Sequence, residues 1–425
     1  MPENLNIQKL TDKLFRREAG KMVAVLTKIF GTENLETAED VVQDTLLHAL
    51  NVWKLKGVPD NPSAWLFRVA KNKAIDIIRR NKHSIHFDLN DSERILLTSE
   101  YTLNMAMENL WKEELIKDDL LRMMFACCHP EISAENQITL ILKTLCGFST
   151  AEIAKAFLVP EDTVSKRLYR TKEFFRKQKL RLNVPSVEEL RSRTDAVLNS
   201  IYLLFNEGYN SSHSEELIRK NLVEEAMMLC KLLTENAYTQ QPEVFALMAL
   251  MCFHVSRSDS RLTAEGGIIL LAKQDRRKWD SDLIAKGNEY MNRSAFGNTI
   301  SSYHIEAAIA YEHCTAETFE STNWARILEL YNWLCKIAPS PVTELNRAAV
   351  IFQVEGSQAA LKALEVIVDK KKLENFHLYY SLSGEIYADL EQYTEAVKAF
   401  KTAINLTQSA AEQRLLNDKI KEILS

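Results

Sequence analysis

The sequence predicts an all-α protein of several helical domains, and three observations carry that reading. Only 11 Gly and 9 Pro punctuate 425 residues, so helices can run long before a breaker stops them. No stretch alternates Val, Ile and Thr between turn residues, so strands have no support. Apolar residues instead recur at helical spacing through most of the chain. At this length one core is not enough, and two or three domains are expected.

The first helical block reaches residue 83. Within it, Ala38 to Leu50 is amphipathic, with Val42, Leu46, Ala49 and Leu50 on the apolar stripe and Asp40, Gln43, Asp44 and His48 away from it. Such a polar face suits a protein partner, and a merely solvated helix fits the same pattern. The next helix has a defined start, because Asn61 is a good N-cap and Pro62 suits the first helical position. From there to Arg80, Leu66, Val69, Ala70 and Ile77 are expected to face a core. Arg68, Asn72, Asp76 and Arg79 fall on the other side, followed by Arg80. Guanidinium, amide and carboxylate groups in one stripe can neutralise phosphates and read base edges.

Residues 84–119 are more acidic and weakly patterned, with some helix expected near Tyr101 to Lys117, and read as a linker. Residues 120–182 form a second block. In it, Ser149 and Glu152 have capping-box spacing ahead of a short helix ending at Phe157. After Leu158-Val159-Pro160, a helix from Glu161 to Arg176 puts Val164, Leu168, Thr171 and Phe175 inward. Asp162, Thr163, Lys166 and Arg170 point outward, with Arg167 on the flank. This is the layout of a helix-turn-helix whose second helix enters a DNA major groove, although the usual turn glycine is replaced by Leu158-Val159.

Asn183-Val184-Pro185-Ser186 marks a boundary, and residues 187–425 form a third, longer helical region. Near its end Tyr380, Gly384 and Tyr387, then Tyr393, Ala396, Phe400 and Ala403, match the spacing of a tetratricopeptide unit. Gln408 stands where proline is usual in such a unit. Trp324 to Ile337, then Pro339-Ser340-Pro341 and Leu345 to Ala363, have similar but weaker texture.

Charge divides along the same boundary. The overall balance is −5, but it is +3 through Leu182 and −8 afterwards, so a basic front half can meet phosphate. The seven cysteines have no framework spacing, which fits a reducing cytoplasm. No apolar run approaches the roughly 20 residues a spanning helix needs, and the N-terminus has no apolar signal core, so a soluble cytoplasmic protein without a membrane partner is expected. Cys127-Cys128-His129, His304 with Glu306, and His313 with Cys314 resemble ligand clusters. They lack metal-site spacing and read as packing residues. Asp275-Arg276-Arg277 with Trp279 and Asp280 reads either as an anion- or peptide-binding corner or as a local salt-bridge network. No phosphate loop or nucleophile motif is found. Neither a metal nor a cofactor is expected, nor enzyme activity.

Together the motifs resemble the sigma-70 family, and within it the extracytoplasmic-function (ECF) group that keeps only regions two and four. AEDVVQDTLLHALNVW resembles region 2.2, NPSAWLFRVAKNKAIDIIRR regions 2.3 and 2.4, and GFSTAEIAKAFLVPEDTVSKRLYRTK region 4.2. RRKWDSDLIAKG, YHIEAAIAYEHC and APSPVTELNRAAV are similar to the subgroup with a C-terminal tetratricopeptide-like extension. The resemblance implies a region 2 domain at 1–83, a linker at 84–119, a region 4 domain at 120–182 and a helical extension at 187–425. It implies binding to core RNA polymerase at the β′ coiled coil through Asp40, Gln43 and Asp44, and at the β flap. It implies −10 contacts by Arg68, Asn72, Asp76, Arg79 and Arg80, a flipped base held by the loop from Lys54 to Asp60, and −35 contacts by Asp162, Thr163, Lys166, Arg167 and Arg170. Fully extended, residues 84–119 reach about 120 Å, more than the roughly 55–60 Å between promoter elements about 17 base pairs apart. The extension is expected to regulate, by docking on the front domains or by holding a protein partner. The competing reading of the same residues is a helix-turn-helix regulator with a sensor domain, and beyond it a repeat scaffold with incidental basic helices.

Overall fold

The structure is a computed structural model, and it describes residues 2–80, 113–129, 131–157, 159–178, 187–210, 218–237, 239–263 and 266–424. Residues 84–112 of the expected linker and the boundary at 183–186 lie outside them. The described residues are helical without a strand, apart from one isolated bridge between Leu262 and Ile268. They divide into two compact units, Met1–Leu204 and Phe205–Ser425.

The front unit contains α1 (Pro2–Phe30), α2 (Leu35–Lys56), α3 (Pro62–Arg80), α4 (Glu113–Cys127), α5 (Ala134–Thr144), α6 (Thr150–Phe157), α7 (Glu161–Gln178) and most of α8 (Val187–Tyr209). The start of α3 is set as the sequence predicts, with Asn61 Oδ1 accepting from the Ala64 amide at 3.0 Å. Its buried stripe is Leu66, Ala70, Ala74 and Ile78, joined by Ile75, while the expected Val69 and Ile77 are only half-buried. A strict four-residue step follows one ridge of the helix more closely than the mixed set chosen from hydrophobicity. On α2 the inward residues are Leu35, Ala38, Val41, Val42, Thr45, Ala49 and Trp53. Leu50, expected inward, is 43% exposed, because the face that meets α1 and α3 is centred one residue earlier.

The capping box of α6 closes in both directions: the Ser149 amide donates to Glu152 at 2.7 Å and the Glu152 amide to Ser149 Oγ at 3.1 Å. In α7, Val164, Leu168, Thr171 and Phe175 are the buried set, as read from the sequence. Cys127 and Cys128 are buried as well. Burial pushes the Cys128 thiol up to about 12 and raises that of Cys127.

The second unit takes the end of α8 and then α9 (Lys220–Glu235), α10 (Pro242–Ser256), α11 (Ser281–Ser294), α12 (Ser302–Thr315), α13 (Trp324–Ile337), α14 (Pro341–Glu355), α15 (Ser357–Glu365), α16 (His377–Asp389), α17 (Tyr393–Leu406) and α18 (Ala410–Leu424). From α12 on, each helix packs against the next, which is the construction of a helical-repeat body. The stretch Leu345–Ala363 is split at Gly356, whose φ of 85° ends α14. The tetratricopeptide-type pair α16–α17 meets through Gly384, where an added Cβ would lie 2.5 Å from the Phe400 ring. Ala396, Phe400 and Ala403 form a core with Leu416 and Ile420, flanked by Tyr380 and Tyr387, whereas Tyr393 stays half exposed at the start of α17.

Candidate nucleic-acid and polymerase interface

Three surfaces of the front unit carry the residues singled out in the sequence. On α2, Asp40, Gln43, Asp44 and His48 are exposed. Leu47 shares the face of Asp40, Gln43 and Asp44 by helical spacing and is 58% exposed. The sequence reading missed this leucine, since a single apolar residue next to a stripe is assigned inward by default. Leu50 and Leu55 of the same helix are exposed as well. Asp44 also reaches Lys73 of α3 at 3.4 Å, a cross-helix pair in which the aspartate is mostly solvated.

Arg68, Asn72, Asp76, Arg79 and Arg80 are all exposed on α3. Asp76 and Arg79 form an i,i+3 pair at 3.9 Å, so one carboxylate steers the guanidinium next to it. The start of α3 is braced by aromatic rings. His48 stacks on Trp65 with centroids 5.7 Å apart, Trp65 meets Trp53 edge-on at 5.5 Å, and Trp53 meets Phe15 at 5.5 Å. That ladder fixes the loop from Lys54 to Asp60 between two held helices, with Gly57 at φ 80° ending α2. The ladder joins α1, α2 and α3 and has no signature in local spacing.

On α7, Asp162, Lys166 and Arg170 are exposed and Thr163 is half-buried. Lys166 pairs with Asp162 at 2.6 Å. Arg167 differs from its neighbours: its guanidinium lies 5.4 Å from the Phe157 ring and its Nη1 is buried without a hydrogen-bond partner. It therefore packs α7 against α6 as much as it faces outward.

The α1–α3 helices and the α4–α7 helices are stitched directly together. Gly20 of α1 lies against the Leu145 carbonyl so closely that a Cβ would sit 1.8 Å from the oxygen. Arg16 pairs with Glu152 at 3.2 Å and lies over Phe148, and Lys28 pairs at 3.0 Å with the buried Asp119, which also receives Arg122. Glu39 accepts from Thr144 at 2.9 Å and from Lys172, and Glu36 pairs with Arg176 at 2.7 Å. Apart from Asp119–Arg122, these contacts link residues more than ninety positions apart and are invisible to sequence periodicity.

Comparison with known proteins decides the family. Residues 14–84 match sigma-70 region 2, and residues 122–175 match sigma-70 region 4. The ECF RNA polymerase sigma factor SigL of Mycobacterium tuberculosis is 32% identical over 140 residues, covering 32% of this chain and 72% of the relative. The chain belongs to the sigma-70 family, ECF group. SigW of Bacillus subtilis, another ECF RNA polymerase sigma factor, is 26% identical over 152 residues, 34% of this chain and 76% of its own. Beyond the sigma regions, residues 193–295 of this ECF chain match a family of unknown function (DUF6596). A Rhizobium meliloti protein named uncharacterized protein R00370 is 34% identical over 379 residues, 89% of this chain and 88% of its own. No solved structure matches. Among the described residues no helix is long and apolar enough to cross a membrane.

Proposed function

We propose that this ECF chain binds core RNA polymerase and directs it to promoters. Asp40, Gln43 and Asp44 would dock the β′ coiled coil, Arg68, Asn72, Asp76, Arg79 and Arg80 would contact the −10 element, and Asp162, Thr163, Lys166, Arg167 and Arg170 would contact the −35 element. The observation that carries the reading is α7: it buries Val164, Leu168, Thr171 and Phe175 and leaves Lys166 and Arg170 in solvent. That is the division a major-groove helix requires. Leu47, Leu50 and Leu55, three exposed leucines on one helix, support a protein partner for α2.

Opening DNA without ATP requires that binding to unstacked bases offset the cost of melting. The α3 stripe offers amide and guanidinium groups for this, and the braced loop from Lys54 to Asp60 offers a fixed cradle. The front unit must also open. A compact body of 204 residues has a radius of gyration of about 17 Å and is roughly 43 Å across. Promoter elements roughly 55–60 Å apart exceed that span. In this proposal polymerase separates α2 from α7, breaking Glu36–Arg176 and Glu39–Lys172 while each helical block stays folded.

The domain limits proposed are 1–83, 84–119, 120–182 and 187–425, with the acidic extension regulating the basic front through charge complementarity or a bound protein. Reconstituted transcription with purified core polymerase tests the reading. Asn72→Ala should impair opening at the −10 element, and Lys166→Ala and Arg170→Ala should weaken use of the −35 element. Duplex footprinting by the protein alone, with no initiation from any genomic promoter, would instead identify a helix-turn-helix regulator.

A further inference from the structure

The second unit contains two neighbouring arginines, Arg257 and Arg261, that form no salt bridge with a carboxylate among the described residues. α10 is almost wholly buried from Val244 to Phe253, and its end runs into Arg257, a 3-10 turn at Ser258–Ser260, and Arg261. The turn is held by the Ile269 amide donating to the Arg261 carbonyl at 2.8 Å. Arg257 and Arg261 both converge on Tyr209. Arg257 Nε donates to the Tyr209 hydroxyl at 2.9 Å, while Arg261 lies 4.1 Å over the ring and donates to the Tyr209 carbonyl.

Arg276 comes from the corner that the sequence marked as either an anion site or a salt-bridge network. The structure divides that corner. Arg277 pairs with Asp275 at 3.0 Å, and Asp280 caps α11 through the amides of Asp282 and Leu283. Arg276 closes the end of α12, donating to the carbonyls of His313 and Ala316 at 2.7 and 2.8 Å and to Thr322 Oγ1 at 3.0 Å. Arg276 is therefore committed. Arg257 Nη1 and Nη2 and Arg261 Nε have no hydrogen-bond partner among the described residues.

Elsewhere this unit pairs a buried arginine with an acid, as Arg219 does with Glu207 at 3.6 Å. At the Arg257–Arg261 turn the Asp259 carboxylate faces outward to Lys220 at 2.8 Å. The Tyr209 hydroxyl already accepts from Arg257, which leaves its proton to donate. Ser260 Oγ is buried without a partner, and so are Nδ1 of His254 and of His313. Burial and the neighbouring arginines push both imidazoles below their ordinary range, so they add dipoles rather than counter-charge.

We infer that Arg257 and Arg261, with the Tyr209 hydroxyl, form a binding site for a small phosphate-type oxyanion. Arg261 spends Nη1 on the Tyr209 carbonyl and Nη2 on Asn210 Oδ1, so the free donors are the Nη1–Nη2 edge of Arg257, the Nε of Arg261 and the Tyr209 hydroxyl, which together suit a ligand that carries negative charge and only acceptors. Both arginines are half-buried, so the site is desolvated yet open to solvent on one side. The site is independent of promoter recognition and lies in the segment matched by the family of unknown function.

The test is calorimetric titration of inorganic phosphate into the full chain, with ionic strength held constant by potassium chloride. The expected result is saturable one-to-one binding, weakened roughly tenfold or more by Arg257→Gln and unchanged by Arg277→Gln, whose side chain is exposed. Arg257→Lys, which keeps the charge and loses the fork, should weaken binding to an intermediate degree. If Arg257→Gln does not fold by circular dichroism, the lysine variant decides. Absence of saturable heat, or wild-type affinity in a folded Arg257 variant, overturns the site.

Discussion

At the scale of single residues, Gly20 and His313 illustrate two costs that only neighbours define. Gly20 is an unremarkable helical glycine in the sequence, yet the Leu145 carbonyl occupies the place of its missing Cβ. Gly20→Ala is expected to destabilise the front unit by about 1–3 kcal/mol, the usual range for overpacking, measured as a shift in the urea midpoint. A midpoint unchanged by the substitution would mean the α1–α5 contact is not maintained in solution. His313 sits against Trp324, and burial, with Arg257 and Arg276 nearby, pushes it down to about 3. A base whose folded pKa is depressed binds fewer protons folded than unfolded below pH 6.5. Its contribution is therefore complete above that pH and falls away as pH drops toward 3. At pH 5 the loss is about 2 kcal/mol, and His313→Gln should flatten that part of the stability curve; an unaltered slope would contradict the assignment. The sequence named His313 as a packing residue, but its charge state depends on arginines brought in from elsewhere in the chain.

At the scale of elements, the sequence was most informative where a motif is local. Asn61 capping α3, the Ser149–Glu152 box and the buried set of α7 all follow from spacing within one or two turns. What spacing could not supply was the second task of Glu152, which holds Arg16 of α1 as well as its own cap. Ser149→Ala is expected to cost about 1 kcal/mol, the usual worth of an N-cap. Glu152→Ala should cost more, since it also removes the ion pair with Arg16. A double-mutant cycle with Arg16→Ala separates the two parts, and zero coupling would assign all of the loss to the cap. The same limit explains Leu50 and Leu47. Amphipathicity gave α2 an apolar side, but the packing of α1 and α3 decided which leucines lie on it.

At the scale of the whole molecule, the front unit holds α3 and α7 in one compact body. Glu36–Arg176 is largely solvated, at about 57% and 52% exposure, and such a pair is worth only about 0–1 kcal/mol. Glu39 is more sheltered and meets both Thr144 and Lys172, so it holds α2 to α7 more firmly. A clasp of this strength is suited to release by a large partner surface. Spin labels on α2 and α7 should give a short distance in the free protein and a longer one with core polymerase. An unchanged distance in the complex would sink the opening step. Glu36→Lys combined with Glu39→Lys turns both pairs repulsive and should lengthen the free-state distance, most of all at low salt. Removing everything after Leu182 should change promoter output if the extension regulates; identical output and polymerase affinity would end that role.

The sequence by itself determined the all-α class, the three ordered sigma motifs, the outward residues of α3 and most of those of α7, because helical period and capping are written within a few residues. Tertiary structure alone decided that α2 is clasped to α7, that Trp53, Trp65 and His48 brace the start of α3, and that Arg257 and Arg261 converge on Tyr209. These are meetings of residues far apart in the chain. Their energies come from burial, charge and close approach, which depend on distances in space that no local spacing encodes.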